Sequence, residues 1–306
     1  MRPVIFDTDI GSDVDDILAL ALLVNSPELN LIGVTTVYGD TGRRAQITKA
    51  ALDAFKRPNT PVVPGEQKTL TERQIFWAGH EGYGIDGLEK IEVSTSIQAV
   101  NYLLENIAQH GNDLEILATG PLTNIAKAIS QDRETFSRIK HLYLMGGAFW
   151  LDRPEHNIRC DPEAAQVVFE SGVPITAIGL DLTLRVLLED EDVREIGRAD
   201  AAGPILEDQI RRYWIYKQIK GNHPHDPLAA LAMVRPDLFV FESWDVVVTQ
   251  EGRSEGLTRL AKPKAGNVRV GFDVLARTAE REIVHRIAGK SGSASSGASP
   301  YRRQLL

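Results

Sequence analysis

Five aspartates lie within ten residues near the start of the chain, in the stretch DTDIGSDVDD. They are Asp7, Asp9, Asp13, Asp15 and Asp16, and we call them the aspartate cluster. One or two carboxylates at the start of a helix are explained by N-capping and by the helix dipole. Five exceed that need, and a hard cation with oxygen ligands relieves their mutual repulsion most simply. The cluster therefore predicts a divalent-cation site, with a solvated capping cluster as the alternative.

Calcium fits the cluster better than magnesium, because its larger and more flexible shell accepts carboxylates, backbone carbonyls and a substrate diol together. An EF-hand loop is excluded, since Ser12 replaces the loop glycine and Leu18 replaces the terminal glutamate. The Asp-x-Asp at the strand end also resembles haloacid-dehalogenase phosphatases, in which Asp7 would be the nucleophile that attacks phosphorus. A magnesium-dependent phosphatase is the second hypothesis, and a calcium- or ribose-binding protein without turnover is the third.

The elements that must position the cluster alternate in type along the chain. Short β-branched runs such as VIFD, LEILATG and VPITAIGLD alternate with longer amphipathic stretches such as DILALALLVNS and PLTNIAKAIS. This alternation predicts an α/β fold with an open, mostly parallel sheet flanked by helices, and such sheets bind ligands at the carboxyl ends of their strands. An aperiodic stretch from Lys68 to Glu92 predicts a binding loop or lid, and one helical segment is expected from Glu189 to about Gly221.

Composition limits the remaining possibilities. The 306 residues are 43% hydrophobic, which predicts one catalytic domain over residues 1–289, followed by a flexible Ser/Gly-rich tail over residues 290–306. No apolar run would span a bilayer and no signal-peptide pattern is present, so we expect a cytoplasmic protein. Cys160 is the only cysteine, which excludes an internal disulfide and a thiolate metal cage. A net charge of −8 argues against nucleic acid as a partner and favours a small neutral or cationic ligand.

Six further stretches follow the cluster in a fixed order: TTVYGD, HEGYGIDG, ATGPLTNIA, LMGG, EHNIRCDPEAA and HDPLAAL. From residue 3 to about residue 288, the chain thereby resembles the inosine-uridine preferring nucleoside hydrolase family. The resemblance implies a Rossmann-like fold and calcium-dependent hydrolysis of the N-glycosidic bond of ribonucleosides, which gives free nucleobase and ribose. It also implies inosine and uridine or pyrimidine nucleosides as substrates, a role in purine and pyrimidine salvage, and a homodimer or homotetramer.

The resemblance assigns the reacting groups residue by residue. It implies that Asp9 binds the metal and takes a proton from the attacking water, and that His225 is a candidate general acid. The other implied metal ligands are Asp16, the backbone carbonyl of Thr119, and Asp226. Asp7 is implied as a supporting partner, whereas Asp13 is an extra residue in the family's spacing and receives no role.

The resemblance also assigns the groups that hold the nucleoside. The residues implied to contact the ribose are Asp15, Asp40, Met145, Glu155 and Asn157. The candidates for the base pocket are aromatic or imidazole side chains, namely Trp77, His80, Tyr83, Tyr213 and Trp214. The stretch AFWLDRP lacks the asparagine that holds the ribose 5′-hydroxyl in some members, and Asp161 before Pro162 is expected to cap a helix.

Overall fold

A computed structural model of the chain describes residues 1–76, 81–199, 202–263 and 266–290. Within these residues, nine strands form one sheet in the order β3-β2-β1-β4-β5-β6-β9-β7-β8. The strands are β1 (Arg2–Thr8), β2 (Leu29–Thr36), β3 (Val62–Pro64), β4 (Glu115–Ala118), β5 (His141–Met145), β6 (Ile175–Ile178), β7 (Phe239–Val248), β8 (Thr258–Pro263) and β9 (Val268–Val274). All neighbouring pairs are parallel except the two that β7 makes, with β8 and β9. The predicted open, mostly parallel sheet is confirmed.

Helices cover both faces of the sheet. They are α1 (Asp15–Asn25), α2 (Thr41–Ala54), α3 (Ala99–His110), α4 (Thr123–Gln131), α5 (Arg133–Phe136), α6 (His156–Cys160), α7 (Pro162–Phe169), α8 (Leu180–Thr183), α9 (Asp190–Gly197), α10 (Gly203–Lys217), α11 (His225–Val234) and α12 (Ala276–Ile287). Successive side chains of β1 point to opposite faces, so Val4 and Phe6 pack with α1, α2, α11 and α12, while Ile5 packs with α3, α4 and α7. The chain is a single α/β domain with a hydrophobic core on each side of the sheet.

The local structure of two segments, from Glu189 to Gly221 and from Lys68 to Glu92, can be compared with the expectation from the sequence. The segment expected to be helical from Glu189 to about Gly221 contains two helices, α9 and α10, and apolar spacing alone did not indicate that it is divided. In the described part of the stretch from Lys68 to Glu92, regular structure is limited to one 3₁₀ turn, Leu88–Lys90. Residues 291–306, which make up nearly all of the expected tail, lie outside the described residues. Among the helices described, none combines the length and the apolarity that a membrane span requires.

Candidate active site

A cavity of about 560 Å³ opens where several parallel strands end. β1 ends one residue before Asp9, β4 ends one residue before Thr119, and β5 ends at Met145. The cavity is also reached by the first turn of α1, which carries Asp15 and Asp16, and by the start of α11. The residues of the lining that bear directly on its chemistry are Asp9, Asp13, Asp15, Asp16, Thr119, Met145, Glu155, Asn157, Tyr213, Asn222, His223, His225 and Asp226. Polar side chains therefore meet at the sheet edge where an α/β fold binds its ligands.

Arg44 of α2 holds the loop that carries Asp9. Its guanidinium is buried and donates hydrogen bonds to the carbonyl oxygens of Asp9 and of Ile10 (3.0 Å), and to the Ser12 hydroxyl (3.1 Å). It also donates to the Tyr38 carbonyl at 2.7 Å, while Glu81 lies within 3.3 Å of it as an ion-pair partner. A planar guanidinium suits this task, because its donors diverge in a fixed fork. Nothing in the sequence of an Ala-rich helix marks one arginine as buried, so this role of Arg44 is not visible from the sequence.

Asp16 and Asp15 are fixed by different partners. The Asp16 Oδ1 atom accepts hydrogen bonds from the hydroxyls of Thr8 and of Thr119, the latter at 2.8 Å. Asp15 accepts from the backbone N–H of His225 (2.9 Å) and from the side-chain amide of Asn222 (3.3 Å). Both carboxylates are thus held in place by groups from distant parts of the chain.

Four buried carboxylates, those of Asp9, Asp15, Asp16 and Asp226, share this cavity. Burial first, and then the neighbouring negative charges, raises the pKa values of Asp9, Asp15 and Asp226 well above the ordinary range, and that of Asp16 to about 6. In the described residues, no three His, Cys, Asp or Glu side chains are already gathered closely enough to enclose an ion. The four carboxylates therefore surround a shared space, and a positive charge placed there would stabilise their ionised forms.

Asn157 links the ends of β4 and β5. Its amide nitrogen donates to the Thr119 carbonyl at 2.7 Å and to the Met145 carbonyl at 3.2 Å. Because both neighbours can only accept, the amide nitrogen must face them, and Oδ1 remains as an acceptor for a ligand. The predicted ribose contacts Asn157 and Met145 both line the cavity, and so does Thr119.

Glu155 lines the cavity but is largely engaged by the backbone. As the N-cap of α6, its carboxylate accepts from the N–H groups of Asn157 (2.8 Å) and Ile158 (3.1 Å), and also from that of Gly147 (3.1 Å). A carboxylate offers about four acceptor positions, and backbone donors occupy most of those of Glu155. Asp161 accepts from Ala164 N–H as the N-cap of α7, which confirms its expected capping position.

Two histidines on one short segment line the cavity. The Nδ1 atom of His225 lies 2.7 Å from the Thr183 hydroxyl, and the Nδ1 atom of His223 lies 2.7 Å from the Val186 carbonyl. Their ring centroids are 5.9 Å apart. Burial, followed by electrostatic repulsion from the neighbouring His223 and Arg153 side chains, lowers the pKa of His225 to about 4. The His225 ring is consequently neutral near pH 7.

Asp7 lies behind the cavity rather than in its lining. It is completely buried, and its Oδ1 atom accepts from the Thr35 hydroxyl and from the Asn124 amide (2.7 Å). Its other oxygen, Oδ2, is buried without a hydrogen-bond partner among the described residues, and burial raises the pKa of Asp7 to about 7. Asp7 thus ties β1 to β2 and α4, in keeping with a supporting position.

The structure places two predicted contacts elsewhere. Asp40 is exposed, caps α2 through a 2.9 Å bond from Arg43 N–H, and does not line the cavity. Trp214, expected in the base pocket, is buried in the core, where its Nε1–H donates to Asn222 Oδ1 at 2.8 Å. Trp214 is therefore linked to the cavity indirectly, because it donates to Asn222 and the Asn222 amide in turn donates to Asp15.

Tyr213 stands between the acidic cavity and a second cavity of about 420 Å³. The second cavity is more apolar, and the residues that line it include Ile10, Ile17, Ile47, Tyr83 and Tyr216. Ser12, Asp13 and Tyr213 belong to both linings, so the two cavities are neighbours. Of the expected base-pocket residues, Tyr213 and Tyr83 therefore line cavities, while Trp77 and His80 lie outside the described residues.

Comparisons with known proteins show which proteins this chain is similar to in sequence and in overall structure. The sequence profile of the inosine-uridine preferring nucleoside hydrolases matches residues 4–281. The chain is 34% identical to uridine nucleosidase 1 of Arabidopsis thaliana, over 83% of this chain and 80% of the relative. It is 33% identical to the pyrimidine-specific ribonucleoside hydrolase RihA of a Shewanella species, over 89% of this chain and 92% of that one. The solved structure of a plant nucleoside hydrolase superimposes with a TM-score of 0.85 at 27% identity, covering 94% of this chain and 99% of its own.

Proposed function

The chain belongs to the inosine-uridine preferring nucleoside hydrolase family, and on this premise we propose that it hydrolyses the N-glycosidic bond of ribonucleosides in the acidic cavity with bound calcium. The observation that carries the proposal is the convergence of four buried carboxylates, from the β1–α1 connection, the first turn of α1 and α11, on one cavity with Asn157 and Thr119. Cleavage of an N-riboside passes through a transition state with positive charge on the sugar. A wall of carboxylates stabilises that charge.

Asp9 is the proposed general base. Its backbone carbonyl is held by Arg44, so the loop that presents the carboxylate has a defined position. Asp9 also lines the cavity in which the nucleoside is proposed to bind, and an ionised carboxylate within reach of a water molecule can accept its proton. Asp9 is therefore suited to take a proton from water as the water attacks the anomeric carbon.

Asp15 and Asn157 are the proposed ribose contacts. Asp15 is anchored by Asn222 and by the His225 backbone, and Asn157 presents Oδ1 as an acceptor. Ribose hydroxyls can donate to these oxygens, which would orient the sugar over the carboxylates. Glu155 and Met145 complete this wall, whereas the position of Asp40 on the exposed α2 cap gives it no support as a ribose contact.

Oxygen ligands for a hard cation are present in the same cavity. The carboxylates of Asp9, Asp16 and Asp226 would hold it together with the Thr119 carbonyl, and this all-oxygen donor set fits calcium. The bound ion would supply positive charge that lets the carboxylates remain ionised side by side and that acidifies water nearby. The raised pKa values of Asp9, Asp16 and Asp226 in the protein alone support the need for such a charge.

The departing base is proposed to lie toward Tyr213 and the apolar cavity beyond it. A planar base can pack on aromatic and aliphatic side chains there. His225 enters the reaction as a neutral ring, so it could protonate the base only after gaining a proton. One relative is a uridine nucleosidase and the other a pyrimidine-specific ribonucleoside hydrolase, which supports a pyrimidine-leaning preference for this chain.

A substrate panel tests the function. We expect the purified protein to release ribose, measured as reducing sugar, from uridine, cytidine and inosine, with pyrimidine nucleosides favoured over adenosine. A matched assay with p-nitrophenyl phosphate tests the phosphatase hypothesis, which the buried position of Asp7 disfavours because that carboxylate cannot meet a phosphorus atom in the cavity. If no nucleoside releases ribose with calcium present, the proposed function is refuted. The remaining hypothesis is then a calcium- or ribose-binding protein that does not turn over a substrate.

Calcium dependence is tested by thermal unfolding after chelation. Adding calcium at about 100 times its dissociation constant is expected to stabilise the fold by about 2.7 kcal/mol, which corresponds to a rise in Tm of roughly 5 °C. Because the raised pKa values mean that protons compete for the same carboxylates, the affinity should increase as pH rises through about 6, where Asp16 titrates. Asp226→Asn should abolish the shift. An equal shift with magnesium would contradict the choice of calcium, and no shift with either ion would contradict the site.

The remaining expectations, a cytoplasmic homodimer or homotetramer and a role in purine and pyrimidine salvage, stay predictions.

A further inference from the structure

The segment that follows β6 contacts both histidines of the cavity. Thr183 ends α8 and is completely buried, and Val186 follows three residues later. The Val186 carbonyl lies 2.7 Å from His223 Nδ1, and a carbonyl can only accept, so this nitrogen of His223 carries a proton. One histidine of the pair thus has its tautomer set by the backbone of this segment.

The Thr183 hydroxyl stands in the corresponding place beside His225. Its Oγ1 atom lies 3.3 Å from the Leu180 carbonyl, to which it donates within the last turn of α8. With its hydrogen directed to Leu180, the hydroxyl presents a lone pair to His225 Nδ1 at 2.7 Å. In this arrangement Nδ1 donates to Thr183, which places the proton of a neutral His225 ring on Nδ1, whereas the opposite tautomer would require the hydroxyl to leave Leu180 and donate to the ring.

The backbone of His225 is anchored as well. Its N–H donates to the Asp15 carboxylate at 2.9 Å and lies 3.0 Å from the His223 carbonyl. The ring is therefore restrained at its backbone and at Nδ1, while His225 contributes to the lining of the cavity. Thr183 itself does not line the cavity, so it contacts the imidazole from outside the cavity lining.

We propose that Thr183 is a positioning residue that fixes the tautomer of His225, so that Nε2 is the ring nitrogen that meets the nucleoside. The unprotonated Nε2 accepts a hydrogen bond from a hydroxyl or N–H of the ligand in the neutral ring. The part that concerns turnover rests on the proposed nucleoside hydrolysis, whereas the tautomer itself does not.

Substitution of Thr183 by a residue of the same shape tests the catalytic consequence. Thr183→Val removes the hydroxyl and keeps the volume, and we expect kcat for uridine to fall about tenfold, the value of one hydrogen bond of roughly 1.4 kcal/mol. KM should rise by a smaller factor than kcat falls, because only the Nε2 contact to the bound nucleoside weakens and the proposed ribose contacts on other elements remain. Thr183→Ser retains the hydroxyl and should restore kcat to within about twofold of the unsubstituted protein.

The chain supplies a matched control for this substitution. Thr176 on β6 is also a buried threonine beside a histidine, with its hydroxyl 2.8 Å from His141 Nε2, and neither residue lines the cavity. Thr176→Val should leave kcat and KM unchanged. A loss in this control equal to that of Thr183→Val would show that any such deletion disturbs the fold, and would overturn the assignment.

Nitrogen NMR of the unsubstituted protein tests the tautomer without any substrate. Long-range ¹H–¹⁵N spectra distinguish a protonated ring nitrogen from an unprotonated one, and the His225 signals are identified by their loss in His225→Gln. We expect protonated Nδ1 and unprotonated Nε2, and in Thr183→Val a mixture of both tautomers. Protonated Nε2 in the unsubstituted protein would overturn the inference. If no nucleoside is hydrolysed, the proposed function fails, and the NMR result still decides the tautomer.

Discussion

Asp9→Asn is expected to reduce kcat for nucleoside hydrolysis by about 10³-fold or more while the protein remains folded. The amide keeps the size of the carboxylate but cannot take a proton from water, and general base catalysis alone contributes about 10²–10⁴-fold. The substitution also removes one of the proposed cation ligands, which adds to the loss. Steady-state release of ribose from uridine measures the effect, and circular dichroism verifies the fold.

Asp13→Asn is the matched control for Asp9→Asn. Asp13 lies in the same loop, lines the same cavity and loses the same charge, and its Oδ1 atom accepts from Asp15 N–H at 3.1 Å, which an amide oxygen can also do. We expect a change of no more than about tenfold, because the resemblance gives this extra residue no role. A larger loss for Asp13→Asn than for Asp9→Asn would mean that the base has been assigned to the wrong carboxylate.

Arg44→Met is expected to lower the free energy of unfolding by about 3–5 kcal/mol. This is the cost of removing one partner of a buried ion pair and leaving the other charge buried without compensation. The carbonyls of Asp9, Ile10 and Tyr38 would lose their guanidinium donor, and Glu81 would lose its cation. Because the loop that carries Asp9 is among the groups released, kcat should also fall in the protein that remains folded. Denaturant unfolding measures the first effect, and turnover well below the Tm measures the second.

A second buried arginine, Arg286, provides a control that distinguishes a loss of stability from an effect on the active site. Arg286 on α12 is 5% exposed and bonds Glu28, Glu282 and the Ser26 hydroxyl, none of which lines the acidic cavity. Arg286→Met should therefore destabilise the fold but leave the kcat of folded protein unchanged. If Arg44→Met also retained full kcat when folded, the support that Arg44 gives to the Asp9 loop would be irrelevant to turnover.

The sequence alone was sufficient for the parts of this protein that depend on local pattern. The alternation of β-branched and amphipathic segments predicted the mostly parallel sheet, because strands buried by helices on both faces need apolar residues along their length. The density of carboxylates between β1 and α1 predicted an acidic site at the strand ends, since charge repulsion so large requires a partner. The ordered motifs, through the resemblance, also indicated Thr119, Asn157 and Asp226, which chemistry alone would not have selected.

Only the tertiary structure decided which side chains line the cavity and which lie outside it and contact the lining residues. Trp214 lies in an aromatic stretch beside Tyr213. Because successive side chains of a helix point in different directions, Tyr213 of α10 lines the cavity whereas Trp214 is buried in the core. Asp40 follows the strand that ends in TTVYG, but its carboxylate caps helix α2 at an exposed position. Arg44 and Thr183 carry no motif of their own. Their roles arise from contacts across 35 and 42 residues of sequence, to Asp9 and His225, and a folded chain is needed to bring such distant partners together.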